Sequence, residues 1–213
     1  MGVPNSSTIA EGHSPGTPST LVLNIDCEDK KDAAQKRPWD DCQVTQMCNM
    51  IKGFNESTYE KKKTDYSPGR RMDDKKRKSM GKTKADQTTH NARNKEYTDG
   101  LKQFSTEFDA LVAEKGADHQ DVKDKFNDDC AHEAWKEKGT TTPMPRGIRK
   151  KGMSPDHVHD VSQGGPTAGP NLMKELNWAD SLVNQTVGRA MSAYDPDTHD
   201  KVAANPNCGC PPD

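Results

Sequence analysis

An aspartate and a histidine stand side by side at Asp156 and His157, and a second imidazole follows two residues later at His159. A carboxylate beside an imidazole joins a hard oxygen ligand to a base that is neutral near pH 7. Further along, Asn184 offers an amide oxygen, another hard ligand. If the fold brings Asp156 and Asn184 together, their oxygens can hold a divalent cation, Mg²⁺ by preference with Mn²⁺, Ni²⁺ or Zn²⁺ as alternatives. Such an ion, with positions open to water and substrate, stabilises a pentacoordinate phosphate and a departing oxygen. His157 is then placed to take the proton of an attacking water.

The elements that must position these residues follow from the pattern between Ser154 and Arg189. Asp156 and His157 sit on an extended segment, followed by a Gly164-Gly165 turn and a loop broken by Pro166, Gly169 and Pro170. After Asn171, the apolar residues Leu172, Leu176, Leu182, Val183 and Val187 recur at broadly helical spacing, with Asn184 among them and Gly188-Arg189 at the close. The reading is strand, turn, short extended or loop segment, helix. Neighbouring strand residues point to opposite faces, so Asp156 and His157 share a site only where the backbone bends. His159 would share the face of His157, as a second phosphate contact or a substitute ligand. Taken alone, Asn171 reads as a helix N-cap.

In this order, Asp156-His157, Gly164-Gly165, Asn171-Leu172 and Asn184 resemble the ββα-metal motif of the HNH nucleases. No cysteine precedes Asn184, so the zinc-braced version of that motif is absent locally, and the last position is Asn rather than His. The resemblance implies a metal-dependent endonuclease in which Asp156 and Asn184 hold the ion and His157 is the general base. It assigns Asn171 to orienting the loop and the His157 ring. DNA is the expected substrate, with RNA possible, and specificity should be low because no zinc finger or helix-turn-helix pattern is present. The position of this unit at the C-terminal end of the chain, together with the cysteines, further resembles toxin domains of bacterial polymorphic or contact-delivered effectors. That implies a cognate immunity protein and action in a target-cell cytoplasm after delivery by a dedicated system. The alternatives are an intracellular restriction or phage-type HNH enzyme and a non-catalytic nucleic-acid-binding protein.

The chain has 213 residues, of which 30% are hydrophobic, 30% charged and 5% aromatic. So little apolar material limits the core it can bury. No run approaches a membrane span, and the first twenty residues lack the basic start and apolar centre of a signal peptide. Oligomeric state is not legible. Six cysteines, Cys27, Cys42, Cys48, Cys130, Cys208 and Cys210, permit disulfides, a zinc site or free thiols. Cys208-Gly209-Cys210 has the form of a tether for the tail.

Residues 1–20, rich in Ser, Thr, Pro and Gly, read as a flexible linker. Residues 21–140 read as a mainly helical accessory region and 141–213 as the HNH-like unit, together an α+β protein. Leu21 to Ile25 is β-like, and Trp39 to Phe54 suggests a helix stopped at Gly53. Leu101, Phe104, Phe108, Leu111 and Val112 mark one helix face, ending near Gly116; Val122, Phe126, Cys130 and Trp135 mark a second helix. Between 61 and 84, eleven Lys or Arg face three Asp, either as a solvated loop or as a phosphate-binding arm. Arg146, Arg149, Lys150 and Lys151 lead into Asp156 and, with Arg189, are candidate phosphate contacts.

Overall fold

The computed structural model describes residues 19–25, 27, 39–62, 71–137, 152–159 and 161–210. α1 (Asp41–Glu56) starts at a reciprocal cap: the Asp40 side chain accepts from the Gln43 amide while the Gln43 side chain accepts from the Asp40 amide. The helix runs through Gly53 rather than stopping there. Glycine serves close approach at this point, because a Cβ on Gly53 would lie 3.1 Å from Val158 Cγ1. α2 (Asp74–Ser79) is a short helix capped by Asp73, inside the run read as a loop or arm. α3 (Lys84–Lys115) opens with a Thr83/Asp86 capping box and ends at Gly116, whose φ of 87° suits glycine. Tyr97, Leu101, Phe104 and Phe108 form its buried stripe.

The helix expected across Val122 to Trp135 is two pieces, α4 (Gln120–Lys123) and α5 (Asp129–Glu137). The break has two local causes. Asp128 Oδ1 accepts from the Ala131 amide at 2.7 Å and starts α5 afresh. Residues 125–127 leave helical geometry to pair with Trp178: Trp178 N donates to the Lys125 carbonyl at 2.7 Å, and Asn127 N donates to the Trp178 carbonyl at 2.9 Å. Burial pushes the Asp128 carboxyl above its ordinary range, against the lowering effect of the amides it caps.

β2 (Met153–His157) pairs antiparallel with β3 (Leu176–Asp180) in the register Met153–Asp180 to His157–Leu176. Between them lie a 3₁₀ turn at Val161–Gln163 and α6 (Gly169–Glu175); α7 (Ser181–Met191) follows β3 without a gap. The apolar series from Leu172 to Val187 is therefore not one helix. Leu176 and Trp178 alternate inward on a strand, and Asp180 then caps α7 through the amides of Leu182 and Val183. β1 (Ser19–Val22) runs parallel to β4 (His199–Ala203). Ser19 and Thr20 thus belong to a strand, not to the linker; residues 1–18 lie outside the described residues.

The architecture is α+β, with helix dominant. Two apolar clusters fill it. One joins Leu23, Ile25, Met47, Phe54, Val183, Val187 and Tyr194; the other joins Tyr97, Phe104, Phe108, Trp135, Met153, Leu176 and Trp178. Each takes residues from both sides of position 140, so the sequence division there is not a division of the core. Three disulfides, Cys27–Cys208, Cys42–Cys130 and Cys48–Cys210, use all six cysteines, and two of them hold the tail flanking Gly209. Among the described residues no helix is long and apolar enough to cross a membrane.

Two stability outcomes follow. A Cβ on Gly100 of α3 would sit 2.5 Å from Cδ2 of the fully buried Leu172 on α6. Gly100→Val should therefore cost about 1–3 kcal/mol by overpacking, read as a lower urea midpoint; an unchanged midpoint would show that α3 and α6 are not closely seated. Cys27→Ala/Cys208→Ala removes a link across a sequence separation of 181. It should lower unfolding free energy by about 2–5 kcal/mol under non-reducing conditions.

Candidate functional site

The hairpin and α7 meet at Ser154 and Pro155, just before Asp156. Asp156 lies opposite Asn177 in the β2–β3 register and retains only 8% exposure. One residue before it, the Pro155 carbonyl accepts from Asn184 Nδ2 at 2.8 Å, and the same Nδ2 donates to Ser154 Oγ at 3.1 Å. The donor end of the Asn184 amide is thus committed to β2. Asp156 and Asn177 pair across the strands, and Asn184 is tied to the two residues before Asp156.

Nothing in its local sequence marks Asn177. Its Oδ1 is buried and has no hydrogen-bond partner. Opposite residues of a strand pair have Cβ atoms about 4.5–5.5 Å apart, so this buried acceptor stands beside the Asp156 carboxylate. An acceptor next to an anion is completed by a cation or a donor from outside. The donor set of Asp156, Asn177 and Asn184 is all hard oxygen, which fits Mg²⁺ or a similar ion.

His157 ends β2. Strand alternation turns it away from Asp156 toward α3, where its ring stacks on Tyr97 with centroids 5.3 Å apart and planes inclined by 21°. Tyr97, unmarked by any local motif, packs against the His157 ring. Arg93, one turn before Tyr97, donates from Nε to Thr167 Oγ1 at 3.3 Å and ties α3 to the loop before α6.

Two of the expected positions fall differently. His159 is fully buried: Nδ1 meets Ser57 Oγ at 2.7 Å and Nε2 meets the Gln163 carbonyl at 3.0 Å. With both ring nitrogens engaged in the interior, it is a structural crosslink and not a phosphate contact or substitute ligand. The strand stops at His157, so the alternation that would have paired the two imidazoles does not extend that far. Asn171 is exposed inside α6; the N-cap position belongs to Ala168, which makes no side-chain cap. Arg189 is exposed in the last turn of α7. Arg146, Arg149, Lys150 and Lys151 lie outside the described residues.

Two other groups of ligand-type side chains occur among the described residues. Cys42, Asp128 and Cys130 cluster, but both sulfurs are joined in a disulfide. Asp118, His132 and Glu133 cluster around Lys136, which pairs with Asp118 and Glu133 and already supplies positive charge there. Neither matches the Asp156 site.

The Asn184 bonds give a test that needs no activity. Asn184→Ala and Asn184→Asp should each destabilise the protein by about 1–3 kcal/mol, since both remove the donor that pins α7 to β2. Urea unfolding in EDTA checks this, and wild-type stability in both variants would show that α7 is held by its apolar face alone. Compared with family models, with curated proteins and with solved structures, the chain matches none significantly, so its kinship is not shown by similarity.

Proposed function

We propose that the protein is a metal-dependent endonuclease of the HNH type, cleaving DNA with low sequence specificity. The observation that carries this reading is the bond from Asn184 Nδ2 to the Pro155 carbonyl. It ties a helix asparagine to Ser154 and Pro155, the two residues before the strand Asp156-His157 pair. This supports the reading, although His157 lies on the opposite face of β2 from Asp156 and a 3₁₀ turn and α6 separate the two strands. Asp156 and Asn184 are the assigned ligands, with Asn177 beside them. A bound divalent ion supplies charge stabilisation for the phosphate and for the departing oxygen.

The chain's own residues do the rest. His157, packed on Tyr97 on the face of β2 opposite Asp156, is the assigned general base, and taking the proton from a water at the ion requires its ring to swing off Tyr97. The Asn184 donations keep α7 in register with β2, so the ligand oxygens keep their separation as substrate binds. Three disulfides support a stage in an oxidising compartment. With a nuclease of low specificity, that supports an antibacterial effector held in check by an immunity protein and acting inside the target cell.

Supercoiled plasmid with Mg²⁺ is the direct assay, with Mn²⁺, Ni²⁺ and Zn²⁺ in parallel. Nicking should disappear in EDTA and fall about 10²–10⁴-fold in His157→Ala. Intact plasmid and intact RNA with every metal would sink the enzyme reading and leave a nucleic-acid-binding protein.

A further inference from the structure

α2 has no evident packing role: none of its residues is buried. Yet it is held in place with care. Immediately before it, Met72 is buried to 4% exposure and clamped on α3: its amide donates to Asn91 Oδ1 at 2.8 Å, and its carbonyl accepts from Gln87 Nε2 at 2.9 Å and Asn91 Nδ2 at 3.1 Å. The Asp73 cap then fixes the start of α2, and Asp74 pairs with Arg77 and with Lys84 at the beginning of α3. The run read from sequence as a loop or an arm is here a fixed platform on the N-terminal end of α3.

That platform is cationic. Between positions 71 and 84 there are seven Lys or Arg against two Asp, and Arg71, Lys75, Lys78 and Lys84 are exposed. Clustering like charge costs self-repulsion, and α2, with no buried residue and only the Arg77 side chain largely covered, recovers little of that cost from packing. A polyanion recovers it through released counterions. α3 links the platform to the candidate site, since its residue Tyr97 stacks on His157. From Lys84 to Tyr97 the helix rises about 20 Å at 1.5 Å per residue. At about 3.4 Å per phosphate along one strand, that spans roughly six nucleotides.

We infer that the α2 platform, with Arg71, Lys75 and Lys78 at its exposed face, is a docking surface for the sugar-phosphate backbone of duplex DNA about half a helical turn from the cleavage site. This rests on the nuclease reading for its substrate, though not for its measurement. The platform grips phosphates alone, adds affinity without sequence preference and holds the flanking duplex while His157 and Asp156 address the scissile bond.

The test is binding of a fluorescent 20-base-pair duplex in EDTA, where no cleavage is possible, by anisotropy over a salt series. Arg71→Glu/Lys75→Glu/Lys78→Glu should weaken binding at least tenfold, and the slope of log K against log salt should fall by about 0.9 for each phosphate no longer neutralised. The corresponding triple Gln variant should lose less, and Lys52→Glu on α1 should bind as wild type does. Equal affinity and equal slope in wild type and both triple variants would overturn the proposal, while plasmid nicking dependent on His157 would still stand. Preference for a polyglutamate peptide over the duplex at equal charge would also overturn it, assigning the platform to an acidic protein. Loss of duplex binding in the triple variants alongside a wild type that cleaves nothing would keep the platform and remove the nuclease reading.

Discussion

The pairing of β2 with β3, five residue pairs from Met153–Asp180 to His157–Leu176, is what the remaining structure is fitted around. One face of the pair supplies Met153, Leu176 and Trp178 to the cluster beneath α3 and α5, and Ala179 belongs to the other cluster, with α1 and α7. Its end launches α7 through the Asp180 cap, and its backbone takes up residues 125–127 as a short third member. Gln46 of α1 accepts from the Asp180 amide at 2.7 Å, fixing the same corner from the opposite side. Slipping β2 by one residue would turn Asp156 into the apolar cluster and Met153 out of it. Position of the chemistry and burial of the core are one constraint here.

A chain with 30% hydrophobic residues cannot hold such a constraint by burial alone. Polar and covalent ties are placed where apolar contact is thin. Met72 is held by three hydrogen bonds, Asn55 bonds to both the amide and the carbonyl of Val202, and α1 carries two of the three disulfides. The exposed ion pairs along α3, such as Lys95–Asp99, contribute little each, being screened by solvent.

Where a residue's role followed from local period, the sequence was informative. Leu101, Phe104 and Phe108 repeat with the helix and are buried on one stripe; Leu21 to Ile25 alternates and delivers Leu23 and Ile25 to the core. Asn184 of α7 bonds to Ser154 and Pro155, the two residues before Asp156 on β2. Legibility ended where tertiary pairing outweighed local spacing. Leu172, Leu176 and Val183 fit a helix numerically, but hydrogen bonds to β2 and to residues 125–127 make 176–180 a strand. Gly53 looked like a stop and is instead a contact with Val158. Tyr97 on His157 and Asn177 opposite Asp156 depend on which segments lie side by side, which no window of sequence contains. His159 failed for the same reason, since its partners Ser57 and the Gln163 carbonyl come from separate elements.

The Cys27–Cys208 link makes two residues that are 181 apart in sequence covalent neighbours. Cys48–Cys210 begins inside that closed loop and ends outside it, so the two loops interlock. An oxidised molecule drawn from either end cannot be straightened into one extended strand. A pore wide enough for a single polypeptide would meet several strands abreast at the first cysteine. Passage between compartments is therefore confined to two regimes: the folded body crosses whole, or the disulfides form only after the chain has been threaded.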